Sequence, residues 1–196
     1  MPLRNLALVV LSAFCLCTTV RPEPARAETL SLELDPAQSS VAFTLGAFLH
    51  TVRGTFALKQ GAIRFDPATG QASGTVVVDL ASGQSGDAKR DAHMRNDVLE
   101  VQTYPLAVFT PSRVQGQLAD GKTAQLDVGG MLAIHGANHP VTLHVAVETK
   151  GTSMTAHTQL SVPYVQWGMK DPSTLLLRVG KTVEVDVTAA GQVHVN

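Results

Sequence analysis

Apolar and polar residues alternate with period two along most of the chain, the pattern of strands with one buried and one wetted face. From Ala72 to Leu80 the even positions are Ala72, Gly74, Val76, Val78 and Leu80, set against Ser73, Thr75 and Asp79. From Ala124 to Ile134 the even positions are again apolar or small, and from Val141 to Val147 every odd position is Val or Leu. Met154, Ala156, Leu160 and Val162 share one parity, against His157, Gln159 and Ser161. Val183, Val185, Val187, Ala189 and Val193 face one way, and Glu184, Asp186, Thr188, Gln192 and His194 the other.

Between His50 and Phe65 the parity changes. Val52, Phe56 and Leu58 share one face, Ile63 and Phe65 the other, and one extra residue at Gln60-Gly61 restores the inward side. This predicts a β-bulge in a strongly bent strand, as in a barrel or a curled sheet. The connections are short and turn-rich: Asp66 to Gly70, Ala119 to Lys122, His135 to Asn138, and Lys150 to Thr152. Such links join antiparallel neighbours. Two stretches break the alternation. Ser82 to Tyr104 contains Asp87 as a plausible N-cap and Asp91 with Arg95 at i,i+4, which predicts one short helix over 87–99. Tyr164 to Lys181 holds the single Trp. The expected architecture is all-β: eight or nine antiparallel strands and one short helix in one domain, with a closed barrel or a sandwich as the ways to hold them.

The N-terminus reads differently. Arg4 precedes an apolar stretch from Leu6 to Val20, shorter than the roughly 20 residues of a membrane span. Ala25-Arg26-Ala27 follows as a small-residue cleavage signal, so residues 1–27 are expected to be a cleaved signal peptide and 28–196 the domain. Cys15 and Cys17 leave with it, and the mature chain has neither disulfide nor thiolate ligand. Losing Arg4, Arg21, Arg26 and Glu23 moves the net charge from −1 to −3. Such a chain has no basic surface to recommend nucleic acid. No second stretch is long and apolar enough to span a bilayer, so the mature protein is expected to be soluble, and periplasmic or secreted.

Little in the sequence points to reaction chemistry. His135, His139 and His144 are close in sequence, but His139 and His144 have opposite parity and point to opposite faces, so no metal site is expected. Asp91 and His93 stand two apart on the expected helix and do not face each other. No G-x-S-x-G announces a nucleophile. Arg90 and His93 remain as candidates for polar contact with a ligand. Tyr164 and Trp167 read equally as core or as the rim of a cavity. The interior of an eight-stranded barrel is either just filled or holds one small ligand. Gly54, Gly74 and Gly130, at or near inward positions, make room; Phe43, Phe56, Phe65 and Phe109 are large enough to fill it. The candidate cavity wall is Phe43, Phe56, Leu58, Val76, Phe109, Leu132, Ile134 and Trp167. No catalytic residue, cofactor or metal is assigned.

Several motifs together resemble the YceI-like family. They are Leu34-Asp35-Pro36 with Ser39, Val41 and Phe43; His50, Gly54 and Phe56; and Ile63-Arg64-Phe65-Asp66. The most specific is Arg90-Asp91-x-His93-Met94-Arg95, followed by Leu99, Val101, Tyr104-Pro105 and Phe109. Leu132-x-Ile134-His135-Gly136, Pro140-Val141-x-Leu143, Gly180, Val183 and Val185 complete the likeness. The resemblance implies an extended eight-stranded, lipocalin-like barrel whose interior takes a long apolar chain such as a polyisoprenoid, for transport or storage and without catalysis. One segment departs: the family often has a shorter Phe-Gly pair where this chain has Trp167 to Pro172. Two other readings stay open: a barrel enzyme with Arg90, Asp91 and His93 at its mouth, and a stress-related structural barrel with a filled interior. Monomer and homodimer are both open.

Overall fold

The computed structural model describes residues 29–47, 50–118, 121, 123–174 and 178–195. The expected signal peptide and most of the Ala119 to Lys122 turn lie outside the described residues. Nine strands follow one another: β1 Leu30–Leu34, β2 Ser40–Gly46, β3 Thr51–Phe65, β4 Ala72–Gln84, β5 Leu106–Gln115, β6 Thr123–Ile134, β7 Ala137–Lys150, β8 Ser153–Val162 and β9 Val183–Val195. Each strand from β2 onward pairs antiparallel with the next, and β9 pairs back onto β2, which closes an eight-stave barrel. The ninth strand is half of a broken stave. β1 and β2 both lie between β3 and β9, β1 against Ala62–Phe65 and Gly191–Val195, β2 against Thr51–Phe56 and Glu184–Thr188.

The break follows from local chemistry. Pro36 has no N–H to give a ladder and locks φ. Asp35 caps the single 3-10 turn Pro36–Gln38, its side chain accepting from the Ala37 N–H at 2.9 Å. The Gln38 side chain, then the Ala37 N–H, hold the Asp35 carboxyl below its ordinary range.

The inward faces follow the predicted parities on β4, β6, β7, β8 and β9. The predicted bulge is present, between Leu58 and Gln60, so the extra residue is Lys59 rather than one at Gln60-Gly61. A second irregularity lies between Thr55 and Ala57, where the Ala57 N–H donates to the Ser82 hydroxyl at 2.7 Å instead of to a ladder carbonyl. A third falls between Pro111 and Arg113, this one at a proline. One turn is tighter than expected. His135 and Gly136, with φ of 49° and 76°, make a two-residue connection, and Ala137 and Asn138 already pair with Ile134 and Ala133. Two successive positive φ values match the right-handed twist of the flanking strands.

The predicted helix is shorter and of mixed type. α1 runs Ala88–His93 and passes into a π-helical turn, Met94–Val98. Asp87 is its N-cap, accepting from the Lys89 and Arg90 N–H groups. The expected Asp91–Arg95 ion pair is not formed. Asp91 turns inward and accepts from Ser85, while Arg95 donates to the Gly83 carbonyl at 2.7 Å. In this segment the His93 Nδ1 stands 2.8 Å from the Asp97 carboxylate instead. Val98, Leu99 and Val101 are buried, so the segment is a cap packed on one end of the barrel. Among the described residues no helix is long and apolar enough to cross a membrane.

Candidate ligand-binding cavity

The inward faces enclose a cavity of about 460 Å³. At one end its wall is Leu30, Phe65, Leu118, Met154 and Val193; at the other it is His50, Ser85, Arg90, His93, Pro172 and Val179. Between them the wall is almost wholly Val, Leu, Ile and Phe. Two polar side chains along it are satisfied by the protein. Thr158 donates to the His144 carbonyl at 2.9 Å, and Tyr164 to the Gly180 carbonyl at 2.8 Å. Burial, helped by the negative Asp171, pushes the Tyr164 phenol up to about 12. An unpaired charge placed in such a lining would be strongly disfavoured.

Phe43, Phe56, Leu58, Val76, Phe109, Leu132 and Ile134 all face this cavity, and Arg90 and His93 face its capped end. Trp167 does not. It stacks on His139 with ring centroids 3.9 Å apart and planes 8° from parallel, outside the cavity wall. The reason is the turn from Tyr164 to Met169, whose Met169 N–H donates to the Tyr164 carbonyl. It turns Tyr164 and Met169 inward and leaves Trp167 over the β6–β7 hairpin. Beside it, Tyr104 packs on His135, and the His135 Nε2 stands 3.7 Å from Glu100. Among the described residues no group of three or more His, Cys, Asp or Glu is placed to hold a metal.

The inward glycines do a different job from making ligand space. A Cβ on Gly54 would run into the Phe43 ring, and one on Gly130 would come 2.8 Å from Phe109 Cε2. Each ring lies close over a glycine, in space that a side chain there would take. The aromatic residues line the interior without filling it.

The capped end carries the polar groups. Arg90 Nε donates to the Ser85 hydroxyl at 2.7 Å and Nη2 to the Ser85 carbonyl at 2.8 Å. The same hydroxyl donates to Asp91 Oδ1, which also accepts the Ser85 N–H. Asp91 is 7% exposed, so this network is fixed from beneath. Sequence reasoning reached Arg90 and His93 but missed His50, Ser85 and Met94, and the whole contribution of β1 through Leu30, Leu32 and Leu34. Parity does not mark β1, which is five residues long, and Ser85 sits in a Ser/Gly run that reads as loop.

A closed, eight-stave antiparallel barrel around a single apolar interior, capped at one end by a short helix, is a lipocalin-like barrel in architecture. The chain belongs to the YceI-like domain family, whose model matches residues 32–190. A UPF0312 protein of Vibrio cholerae is 31% identical over 126 residues, 63% of this chain and 65% of that protein. The chain thus spans just under two thirds of the length of that relative. A UPF0312 protein of Pseudomonas putida is 32% identical over 156 residues, 74% of each chain. Two solved structures share the fold. BcnA of Burkholderia cenocepacia has a TM-score of 0.65 at 22% identity, covering 80% of this chain and 98% of its own. A polyisoprenoid binding domain from Saccharophagus degradans has a TM-score of 0.62 at 20% identity, covering 82% and 97%.

Proposed function

We propose that the protein is an exported carrier that holds one long-chain apolar lipid, a polyisoprenoid or a chain of similar kind, in the barrel interior. The observation that carries this is the wall itself: almost wholly apolar, with Phe43 and Phe109 packed over glycines, and with the charged and titratable nitrogen groups at one end. Burying each CH₂ contributes on the order of 0.8 kcal/mol. About ten buried carbons then supply roughly 8 kcal/mol before ordering costs, enough for capture without a specific polar site. Family membership and the structural likeness to a polyisoprenoid binding domain support the reading. The proposal of export, to the periplasm or outside the cell, is supported by Ala25-Arg26-Ala27 behind its apolar stretch.

A carrier releases its cargo unchanged. The arrangement at the capped end supports this over catalysis, because Asp91 is turned to Ser85 while His93 is paired with Asp97, so the two do not act on one proton. Native mass spectrometry with lipid extraction, on protein exported by its own signal, tests both points. The expected result is about one lipid per chain, chemically unaltered, on a polypeptide beginning at Glu28. Protein that is empty and resists loading with prenyl alcohols overturns the carrier. A modified lipid whose formation needs His93 overturns the non-catalytic reading.

A further inference from the structure

The groups at the capped end are unlike one another in a way that selects a ligand. His50 comes from the start of the β2–β3 side, Ser85 from the end of β4, and Arg90 and His93 from α1. Three of the four are cationic or become so on protonation, and among the described residues no carboxylate lines the cavity. The nearby acids are already engaged. Asp87 caps α1, Asp91 is held by Ser85, Asp97 pairs with His93, and Asp171 with Lys181 at 3.6 Å. Among the described residues no carboxylate lies within ion-pair distance of Arg90; Asp91 is linked to it through the Ser85 hydroxyl, and Asp87 acts on it at longer range.

An arginine held this way is a fixed fork. Nε and Nη2 are fastened to Ser85, and among the described residues Nη1 has no hydrogen-bond partner. Guanidinium groups bind planar or tetrahedral oxyanions through paired donors, and such charge-assisted bonds are roughly twice as strong as neutral ones. A guanidinium at the rim of an apolar tunnel, without a direct counter-ion, is therefore matched to an anion brought by the tunnel's occupant. The neutral Ser85 anchors position it without cancelling its charge.

We infer that the cargo is a single-chain anionic amphiphile, whose carboxylate or phosphate head is held at the capped end by Arg90 with His50, its tail running toward Leu30 and Val193. This rests on the carrier reading and adds the charge of the head group and the direction of the chain. Ser85 and Asp91 are positioning residues for the Arg90 fork.

The experiment measures affinity of the mature chain for a matched set: farnesol, farnesoic acid and farnesyl monophosphate. Both anions are expected to bind at least about tenfold more tightly than the alcohol, the ratio shrinking as salt screens the exposed mouth. The better of the two anions identifies the head group. Arg90→Met is expected to bring the anion-to-alcohol ratio near one, and Ser85→Ala to lower it partway, a readout that a purely structural defect would not move. Equal binding of alcohol and anions, or a preference that survives Arg90→Met in a folded variant, overturns the inference and leaves the carrier standing. Should Arg90→Met fail to fold, the three-ligand comparison on the wild-type chain and its salt dependence decide the matter alone. Binding of none of the three by folded wild-type protein overturns the carrier reading and this inference with it.

Discussion

Tyr164 shows how one side chain can report on the interior. It is 5% exposed, lines the cavity and donates to the Gly180 carbonyl. Its phenol is pushed up to about 12 because burial disfavours phenolate, and the raised value links its proton to folding. The folded chain keeps this proton where an unfolded chain loses it. The stabilisation is complete below the ordinary value of 10 and is lost as pH rises through about 12. Thermal melts of the wild type are expected to fall more steeply across that window than those of Tyr164→Phe. The variant should start lower by about 1 kcal/mol for the lost hydrogen bond. Parallel pH slopes in the two proteins would contradict the assignment. Gly54 is the other residue whose role is sharply testable. Gly54→Ala pushes a methyl into both the Gln84 backbone carbonyl and the Phe43 ring, and overpacking of this kind costs about 1–3 kcal/mol. Chemical denaturation reads the loss directly, and an unchanged midpoint would mean that neither the β4 backbone at Gln84 nor the Phe43 ring is held against Gly54.

At the scale of elements, the capping segment is the most exposed to a single change. α1 has only six residues, too few to hold itself, and depends on Asp87 and on Val98, Leu99 and Val101 packed beneath. Asp87→Ala removes the acceptor for two backbone N–H groups and is expected to cost about 1 kcal/mol. Because the cap is a local unit, faster hydrogen exchange at amides 88–98 is expected, with the strands β6 to β8 little affected. Equal acceleration throughout the barrel would show that the cap and barrel unfold together. The β3 strand makes a complementary point. Its bulge at Lys59 was legible from the change in parity, whereas the irregularity at Thr55 to Ala57 was not, since it depends on Ser82 arriving from β4.

For the whole molecule, closure and hollowness are joint properties of all the staves. β1 fills the gap left where β2 stops, pairing with the far ends of β3 and β9 and adding Leu30, Leu32 and Leu34 to the wall. Removing residues 29–34 is expected to expose two unpaired strand ends and open the lower cavity. The measured result should be a lowered melting temperature and a tendency to associate. Unaltered stability of the shortened chain would deny β1 its structural part. The interior itself is tested by Leu132→Asp. Leu132 is 9% exposed, and a carboxylate there meets no partner in the apolar wall. A folded variant is expected to take up no lipid; uptake at the wild-type level would place the lipid elsewhere.

The sequence by itself determined which residues face inward on the alternating strands β4 and β6 to β9. Side chains alternate strictly along a strand, so period-two runs such as Val141 to Val147 assign their face with no knowledge of neighbours. It also determined the Asp87 cap and the bulge in β3, both local in origin. Only the tertiary structure decided the rest. Whether the barrel is hollow depends on where the Phe43 and Phe109 rings lie, and that is set by Gly54 and Gly130 on adjoining strands. Whether Trp167 lines the cavity depends on the turn that carries it over His139, 28 residues away in the chain. Whether Arg90 pairs with an acid depends on Ser85 standing between it and Asp91. Each of these is a contact between segments, and a periodicity read along one strand holds no information about which side chain the neighbouring strand brings against it.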